Sequence, residues 1–235
     1  MTVDEFRRNA ILAQLPDREY AQLKPHLRHE QTEMKHQAYE PGKPIGDIYF
    51  PLSSVFSLVA VVDGRVSLEV ATIGYEGMVG LPVYLGASTS PQAAFCQVPG
   101  DTARITVAEF RPALTRDGAL HAMLNRFTQA TMVQVAQNVV CNRSHSTETR
   151  MARWLLTTQD RVRSDELRLT QEFLARMLGV HRATVSDTAQ RIQDQGLIRY
   201  SRGTIIITGR RQLEQKACEC YRIVKDEFDA ITNLS

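Results

Sequence analysis

Cysteine is scarce in this 235-residue chain, and its four copies (Cys96, Cys141, Cys218, Cys220) follow no paired metal-binding spacing. Cys218 and Cys220 stand two apart in a segment that reads as helix, which points them to different faces and argues against a shared ion. The expectation is buried or idle thiols, with no metal and no cofactor. Long apolar runs are missing as well. The greasiest, Val55 to Val62, is interrupted by Ser57 and is too short to span a bilayer. The opening MTVDEFRRNA has acids and arginines but no apolar signal core, so a cytoplasmic protein without membrane contact is expected. Enzyme signatures are absent too: no phosphate-cradling glycine loop, no G-x-S-x-G elbow, no H-E-x-x-H. His145 lies beside Ser144 and Ser146, but nothing in the sequence orients them as a triad. No catalytic residue is assigned and no enzyme is expected. Internal repeats and low-complexity tracts are also lacking.

What is present fits a globular chain with a real core: 43% hydrophobic and 23% charged residues, enough for one large domain or two ordinary ones. The most informative stretch runs from Leu169 to Gly203, LTQEFLARMLGVHRATVSDTAQRIQDQGLIRYSRG. With Gly179 at the turn of a helix-turn-helix, Leu174 and Leu178 supply the inner face of the first helix and Ala175 the close crossing. Val180 and Val185 then anchor the second helix, and Thr170 is the N-cap of the first. Thr188 departs from the pattern, standing where an aliphatic residue is expected. After Gly196, LIRYSRGTIII alternates and turns at Ser201-Arg202-Gly203, which reads as a two-stranded wing. A helix-turn-helix with a wing places its second helix in the DNA major groove and its wing near phosphate. Charge agrees. Net charge is only +2, yet residues 161–211 hold ten arginines against five acids, concentrating positive charge where double-stranded DNA would lie.

In chain order, residues 4–28 carry short amphipathic helices broken by Pro16 and Pro25, with Tyr20, Leu23 and Leu27 on one face. From about 29 to 108 the signals are those of strands: Ile48–Phe50, Val55–Val62, Val66–Ile73, Ala93–Val98 and Ala103–Val107, with a tight turn at Asp63-Gly64. This spacing predicts an antiparallel jelly roll. Asp117 to about Asn142 reads as one long helix. Leu120, Leu124, Phe127, Thr131, Gln134, Asn138 and Cys141 trace a heptad stripe, and Met132, Val133, Val135, Ala136, Val139 and Val140 widen the apolar surface. So broad a surface predicts self-pairing, with the stripe from Leu120 to Asn138 as the dimerisation face. Asn142 to Ser146 is a hinge candidate. A helix burying Met151, Trp154 and Leu155 follows, then a short strand at Leu167–Leu169. A terminal helix from Arg211 to Ile231 offers Leu213, Cys220, Ile223, Val224 and Phe228 for packing. The fold class is therefore α+β: an N-terminal antiparallel β-roll sensor over residues 1–116, a long dimerisation helix over 117–142, and a C-terminal winged helix-turn-helix over 143–235.

That order resembles the Crp/Fnr superfamily of bacterial transcription regulators over nearly the whole chain. In the roll the resemblance rests on YEPGKPIGDIYFPLSSVFSLV, DGRVSLEVATIGYEGMVG and SPQAAFCQVPGD, and in the reader on LTQEFLARMLGVHRATVS and the DQGLI-wing segment. It implies a homodimer on an inverted-repeat operator, with a roll that senses a signal and long helices that relay it. The cyclic-AMP branch presents an Arg, a Glu and a second Arg on its recognition helix. The matching positions here are Arg182, Ala183 and Asp187, so only the first Arg survives, a candidate for a bidentate guanine contact. His181, Thr184, Ser186, Asp187 and Gln190 lie on the exposed face of that helix. Gln171, Ser201 and Arg202 are phosphate candidates. Asp187 has a second reading, as a partner for Arg191 four residues on.

In the sensor, the Glu that binds ribose and the Arg-Ser pair that binds cyclic phosphate in that branch correspond to Leu81 and Gln92-Ala93, the candidate effector pocket. No Arg occurs from 66 to 103, although Arg65 and Arg104 flank the region. The oxygen-sensing branch's N-terminal cysteines have no counterpart before Cys96. An effector other than cyclic AMP, or none, is expected. RNA polymerase is an open partner, since activation would need a surface touching it and the sequence marks none. The rival reading is a ligand-binding or scaffold protein of the same fold without regulated DNA reading.

Overall fold

The structure, a computed structural model, describes residues 4–63 and 65–232, so Gly64 of the expected turn lies outside them. Two short helices, α1 (Ala10–Ala13) and α2 (Asp17–Leu23), precede a roll of seven strands. These are β1 (Arg28–Thr32), β2 (Gln37–Tyr39), β3 (Asp47–Pro51), β4 (Val55–Val62), β5 (Arg65–Ile73), β6 (Ala93–Val98) and β7 (Gly100–Thr106). The short helices α3 (Leu81–Tyr84) and α4 (Val107–Phe110) punctuate it. The strands form two antiparallel sheets, β1-β7-β3 and β2-β6-β4-β5. β1 and β2 have no sequence signature, because the polar stretches RHEQT and QAY carry little alternating apolar signal. Between the sheets lies a core that includes Phe50, Phe56, Ile48, Ile73, Met78 and Ile105, all fully buried.

The near-continuous apolar run of β4 has a direct cause: its sheet is covered on both faces. Phe56, Leu58, Ala94 and Cys96 point into the roll. Val59 and Ala93, with Val61 and Phe95 beside them, point outward into a second core shared with the C-terminal half of the chain. A strand buried on both faces loses its polar alternation.

The long helix α5 spans Ala119–Ser144, and only His145 and Ser146 separate it from α6 (Thr147–Val162), so the hinge is shorter than the sequence suggested. Its expected partner face is reversed. Leu120, Leu124, Phe127, Thr131, Gln134 and Asn138 are all buried within this chain, the first three in the cluster that fills the roll. The polar members explain why: Asn138 donates to the Val70 carbonyl at 2.7 Å, the Gln134 amide lies 3.1 Å from the Thr72 hydroxyl, and Thr131 donates back to Phe127 at 2.8 Å. The stripe is partly polar because it satisfies the groups of β5. Of the apolar residues that widen the stripe, Met132, Ala136, Val139 and Val140 are left outward.

The remaining elements are β8 (Glu166–Arg168), α7 (Gln171–Leu178), α8 (Arg182–Asp194), β9 (Ile198–Ser201), β10 (Thr204–Ile207), α9 (Arg210–Lys216) and α10 (Glu219–Thr232). The expected single terminal helix is thus two, broken at Ala217 and Cys218. α10 runs back along α5, where Phe228 meets Phe127 at 6.2 Å between ring centres, and Ile223 faces solvent rather than packing. The break also overturns the argument that Cys218 and Cys220 diverge on one helix. Cys218 precedes α10 and Cys220 lies in its first turn, and both come to the end of α5, beside Cys141 and His145. No helix among the described residues is long and apolar enough to cross a membrane.

Polar contacts fix the C-terminal half on the roll. Arg161 of α6 pairs with Glu76 at 2.5 Å, both side chains 5% exposed, and also donates to Thr72. Gly74 makes room for it, since a Cβ there would meet the Cβ of Arg161 at 2.7 Å. Trp154 donates its indole N–H to Glu69 at 2.7 Å, and Ser57 donates to the same carboxylate at 2.6 Å. Burial pushes the Glu69 carboxyl up to about 7, against the pull of the Ser57 and Trp154 hydrogen bonds and of Arg161. A carboxyl raised in the folded state binds more protons folded than unfolded between roughly its ordinary value and 7, so stability falls as pH rises through that window. Glu69→Gln keeps an acceptor for Trp154 and removes the titration. Relative to Glu69→Gln, the native chain is expected to lose about 2 kcal/mol between about pH 5 and pH 7.5. Denaturant midpoints of the two proteins at both pH values measure this, and parallel pH profiles would count against it.

Candidate nucleic-acid interface

The reader builds itself from local rules that the sequence states clearly. Thr170 caps α7, its hydroxyl accepting from the Phe173 amide at 3.1 Å. Gly179 ends α7 with φ +63°, a left-handed conformation that a glycine adopts without steric cost. Leu174, Ala175 and Leu178 of α7 meet Val185, Ala189 and Ile192 of α8 in one buried cluster. Thr188, the residue out of pattern, is fully buried with its hydroxyl accepting from Arg191 at 3.1 Å, so its polar atom is satisfied and its methyl fills the aliphatic site. The wing is a two-residue hairpin, Ser201 pairing Thr204, with both turn residues left-handed at φ +49° (Arg202) and +79° (Gly203).

α7, α8 and the wing enclose an open cleft of about 520 Å³. Gln171, Arg182, Ser186, Gln190 and Arg202 line it together, five of the nine residues singled out from sequence. His181, the N-cap of α8, is exposed beside the cleft but does not line it, as are Asp187 and Ser201, while Thr184 is half-buried. Asp187 is not the partner of Arg191, which turns instead to Glu148 of α6 at 3.4 Å. Two residues that sequence reasoning missed hold the cleft in shape. Gln193 accepts from the Tyr200 amide at 2.7 Å, tying α8 to β9, and Tyr200 donates its hydroxyl to the Leu169 carbonyl at 2.8 Å. Burial pushes the Tyr200 phenol up to about 12, so it stays a donor at neutral pH. Only the register of the wing brings these groups together, and no sequence signal marked them.

The electrostatics are sharper than the count of ten arginines. Arg161 is buried with Glu76, Arg163 lies over the Tyr75 ring at 3.7 Å, and Arg168, Arg176, Arg191 and Arg210 each pair with a carboxylate. Arg182, Arg199, Arg202 and Arg211 make no ion pair among the described residues, and all four are exposed. Two of these uncommitted cations, Arg182 and Arg202, flank the cleft. An open groove with cations at both rims, amides and hydroxyls between them, and its carboxylate, Glu172, paired with Arg176 can take an anionic, polar ligand such as a nucleic-acid backbone with exposed base edges.

The candidate effector residues do not converge. Leu81 belongs to the roll core, whereas Ala93 points out of the other face of its sheet into the cluster beneath the reader. Gln92 is half-buried in the preceding loop, and Arg104 is held by Asp47 at 3.0 Å on the far sheet.

Comparison with known proteins agrees with this geometry. Residues 149–216 match a family model described as a Crp-like helix-turn-helix domain. A sequence comparison with curated proteins gives no match. Among solved structures the chain is similar to FixK2 from Bradyrhizobium japonicum, at 16% identity and a TM-score of 0.66, over 82% of this chain and 98% of that one. It is similar also to the c-di-GMP-responsive global regulator CLP of Xanthomonas campestris, at 16% identity and a TM-score of 0.64, over 83% and 100%. A CRP-family transcriptional regulator from Thermus thermophilus aligns at 17% identity and a TM-score of 0.66, over 81% and 96%. Residues 149–216 are thus a Crp-like helix-turn-helix domain, carried on a chain with the fold of the Crp/Fnr transcription regulators.

Proposed function

We propose that this chain regulates transcription by reading an inverted-repeat operator in the cytoplasm as a homodimer, under an effector other than cyclic AMP or none. The observation that carries the reading is the cleft between α7, α8 and the wing. It gathers Gln171, Arg182, Ser186, Gln190 and Arg202 with two uncommitted guanidinium groups at its rims. Arg182, in the first turn of α8, reads a guanine edge, and Arg202, at the wing tip, holds phosphate.

Pairing is assigned to the outward face of α5. Met132 and Val139 are 64% and 67% exposed, Val140 is 49% exposed, and Ala136 lies between them. Their spacing of four, three and one keeps them on one stripe of the helix. An apolar cleft of about 350 Å³, lined by Leu68, Val70, Val135 and Val139 among others, runs beside it. A second copy brings the same stripe across a two-fold axis, the symmetry an inverted repeat requires.

Against cyclic AMP stands the filling of the roll. Its inner face carries Phe50, Phe56, Ile48 and Met78, fully buried, and Arg104 is already committed to Asp47. A cyclic phosphate must exchange its hydration for charge-assisted hydrogen bonds, and neither Gln92, half-buried in a loop, nor Ala93, which points out of the roll, supplies a charge inside it.

Arg182→Ala should cost about 1–3 kcal/mol in binding and relax specificity at one position per half-site. Arg202→Ala should weaken all sequences alike and reduce the salt slope by about one. Binding-site selection from random DNA, followed by salt titration of the two variants, reads both effects, and the opposite pattern would reverse the placement of helix and wing. Selected half-sites should lie about 10 bp apart, centre to centre. Val139→Glu should convert the dimer to monomer in sedimentation and weaken operator binding with it, whereas a monomeric native chain that binds a single half-site tightly overturns the pairing. Calorimetric titration should find no cyclic-AMP binding, because a missing charged partner costs about 2–5 kcal/mol. Micromolar binding with a matching gain in DNA affinity would refute that.

A further inference from the structure

Three thiols and an imidazole that the DNA-reading surface does not use meet at one point. Cys141 and His145 lie four residues apart at the C-terminal end of α5, and Cys218 and Cys220 lie at the start of α10. Their ligand atoms all fall within 4.8 Å of one another. Cys141 Sγ and Cys218 Sγ are 3.6 Å apart, and Cys220 Sγ is 3.8 Å from His145 Nδ1. We propose that these four residues form a closed, mononuclear metal site of the zinc class that fastens the C-terminal helix to the long helix.

The distances carry the assignment. A tetrahedral zinc ion with sulfur ligands at about 2.3 Å and nitrogen at about 2.0 Å spaces those ligands roughly 3.5–3.8 Å apart. Two of the separations already have that value, and the widest closes by about 1 Å. A disulfide would draw two sulfurs to about 2.05 Å and leave the third thiol and the imidazole without a role. A multi-iron cluster holds its ligands around several metal atoms, and a set confined within the reach of one ion does not suit it. Three thiolates with one imidazole are soft ligands in the combination of structural zinc sites, and four protein ligands leave no open position for catalysis. Cys141 and Cys220 are fully buried while His145 and Cys218 are half-buried, so the ion has a protected inner side and an entry path.

The position gives the site its consequence. The two-residue hinge, His145 and Ser146, separates α5 from the reader. α10 is already held at its far end, where Phe228 meets Phe127. The ion closes the near end across that hinge, so the bracing of α10 against the long helix beside the reader depends on metal binding and on the thiols remaining reduced. Folding and metal binding are coupled at such a site, because the ligand set does not exist in the unfolded chain.

The test uses the full chain, purified under reducing conditions from zinc-supplemented medium. It should retain one equivalent of zinc through gel filtration against a weak chelator. Replacing zinc with cobalt(II) should give the intense visible bands of a tetrahedral ion and a near-ultraviolet thiolate-to-cobalt charge-transfer band. Cys218→Ser should weaken zinc at least about 100-fold, the upper end of what changes outside the ligand set cost. Cys96→Ser, whose sulfur lies in the roll core, should leave zinc and cobalt spectra unchanged. His145→Asn, a half-exposed change, should lower the charge-transfer band no more than slightly while weakening zinc, which separates ligand loss from misfolding should Cys218→Ser fail to fold. Sub-stoichiometric zinc stripped by the weak chelator, an octahedral cobalt spectrum, or a Cys141–Cys218 disulfide under reducing conditions overturns the site.

Discussion

A guanidinium buried between two halves of a chain must be neutralised where it lies, and the rest of this structure depends on how Arg161 meets that demand. Its partner Glu76 comes from the loop after β5, so the pair joins the roll to the first helix of the reader. Removing one member of a buried pair typically costs about 3–5 kcal/mol, although a buried pair adds little stability over an apolar replacement. Its value is therefore positional. The surrounding contact between Val59, Ala93 and Phe95 of the sheet and Trp154, Phe173 and Met177 of the reader is apolar and could slide. Charges that are satisfied in one register only do not permit that.

Glu69 adds a second, weaker constraint of the same kind. It accepts from a reader tryptophan and a roll serine while buried completely, so the junction contains one carboxyl whose charge is costly and one whose charge is compensated. The two carboxylates sit on the same side of the roll, and both serve the reader. The outer face of the sheet, apolar at Val59, Val61, Ala93 and Phe95, is an interior layer of the chain.

The long helix is shaped by the same layering. Its inward stripe mixes Leu120, Leu124 and Phe127 with Thr131, Gln134 and Asn138 because the first half meets the roll core, whereas Gln134 and Asn138 meet a hydroxyl and a carbonyl of β5 and Thr131 satisfies itself on its own helix. A heptad pattern alone is silent about which of two apolar faces meets the chain's own fold. The polar residues were the clue, since buried amides need partners and a sheet edge supplies them.

What the sequence determined by itself is the part governed by neighbours along the chain. Gly179 at a left-handed C-cap, Thr170 as an N-cap and the Arg202-Gly203 turn each follow from a residue's effect on its own backbone, and the Leu174–Val185 crossing joins two helices adjacent in the chain, so the reader was legible for that reason. The strands β3 to β7 were legible through their apolar runs, and the polar β1 and β2 were not. Tertiary structure alone decided the rest. It chose the buried face of α5 and committed six of ten arginines to ion pairs or a ring. It sent Ala93 out of the roll while Leu81 stayed in, and it brought Gln193 and Tyr200 to the cleft. It also gathered Cys141, His145, Cys218 and Cys220 from segments more than seventy residues apart. Local patterns encode φ, ψ and periodicity. The meeting of distant side chains depends on which faces remain to be buried once those elements exist, and that is a property of the packed layers.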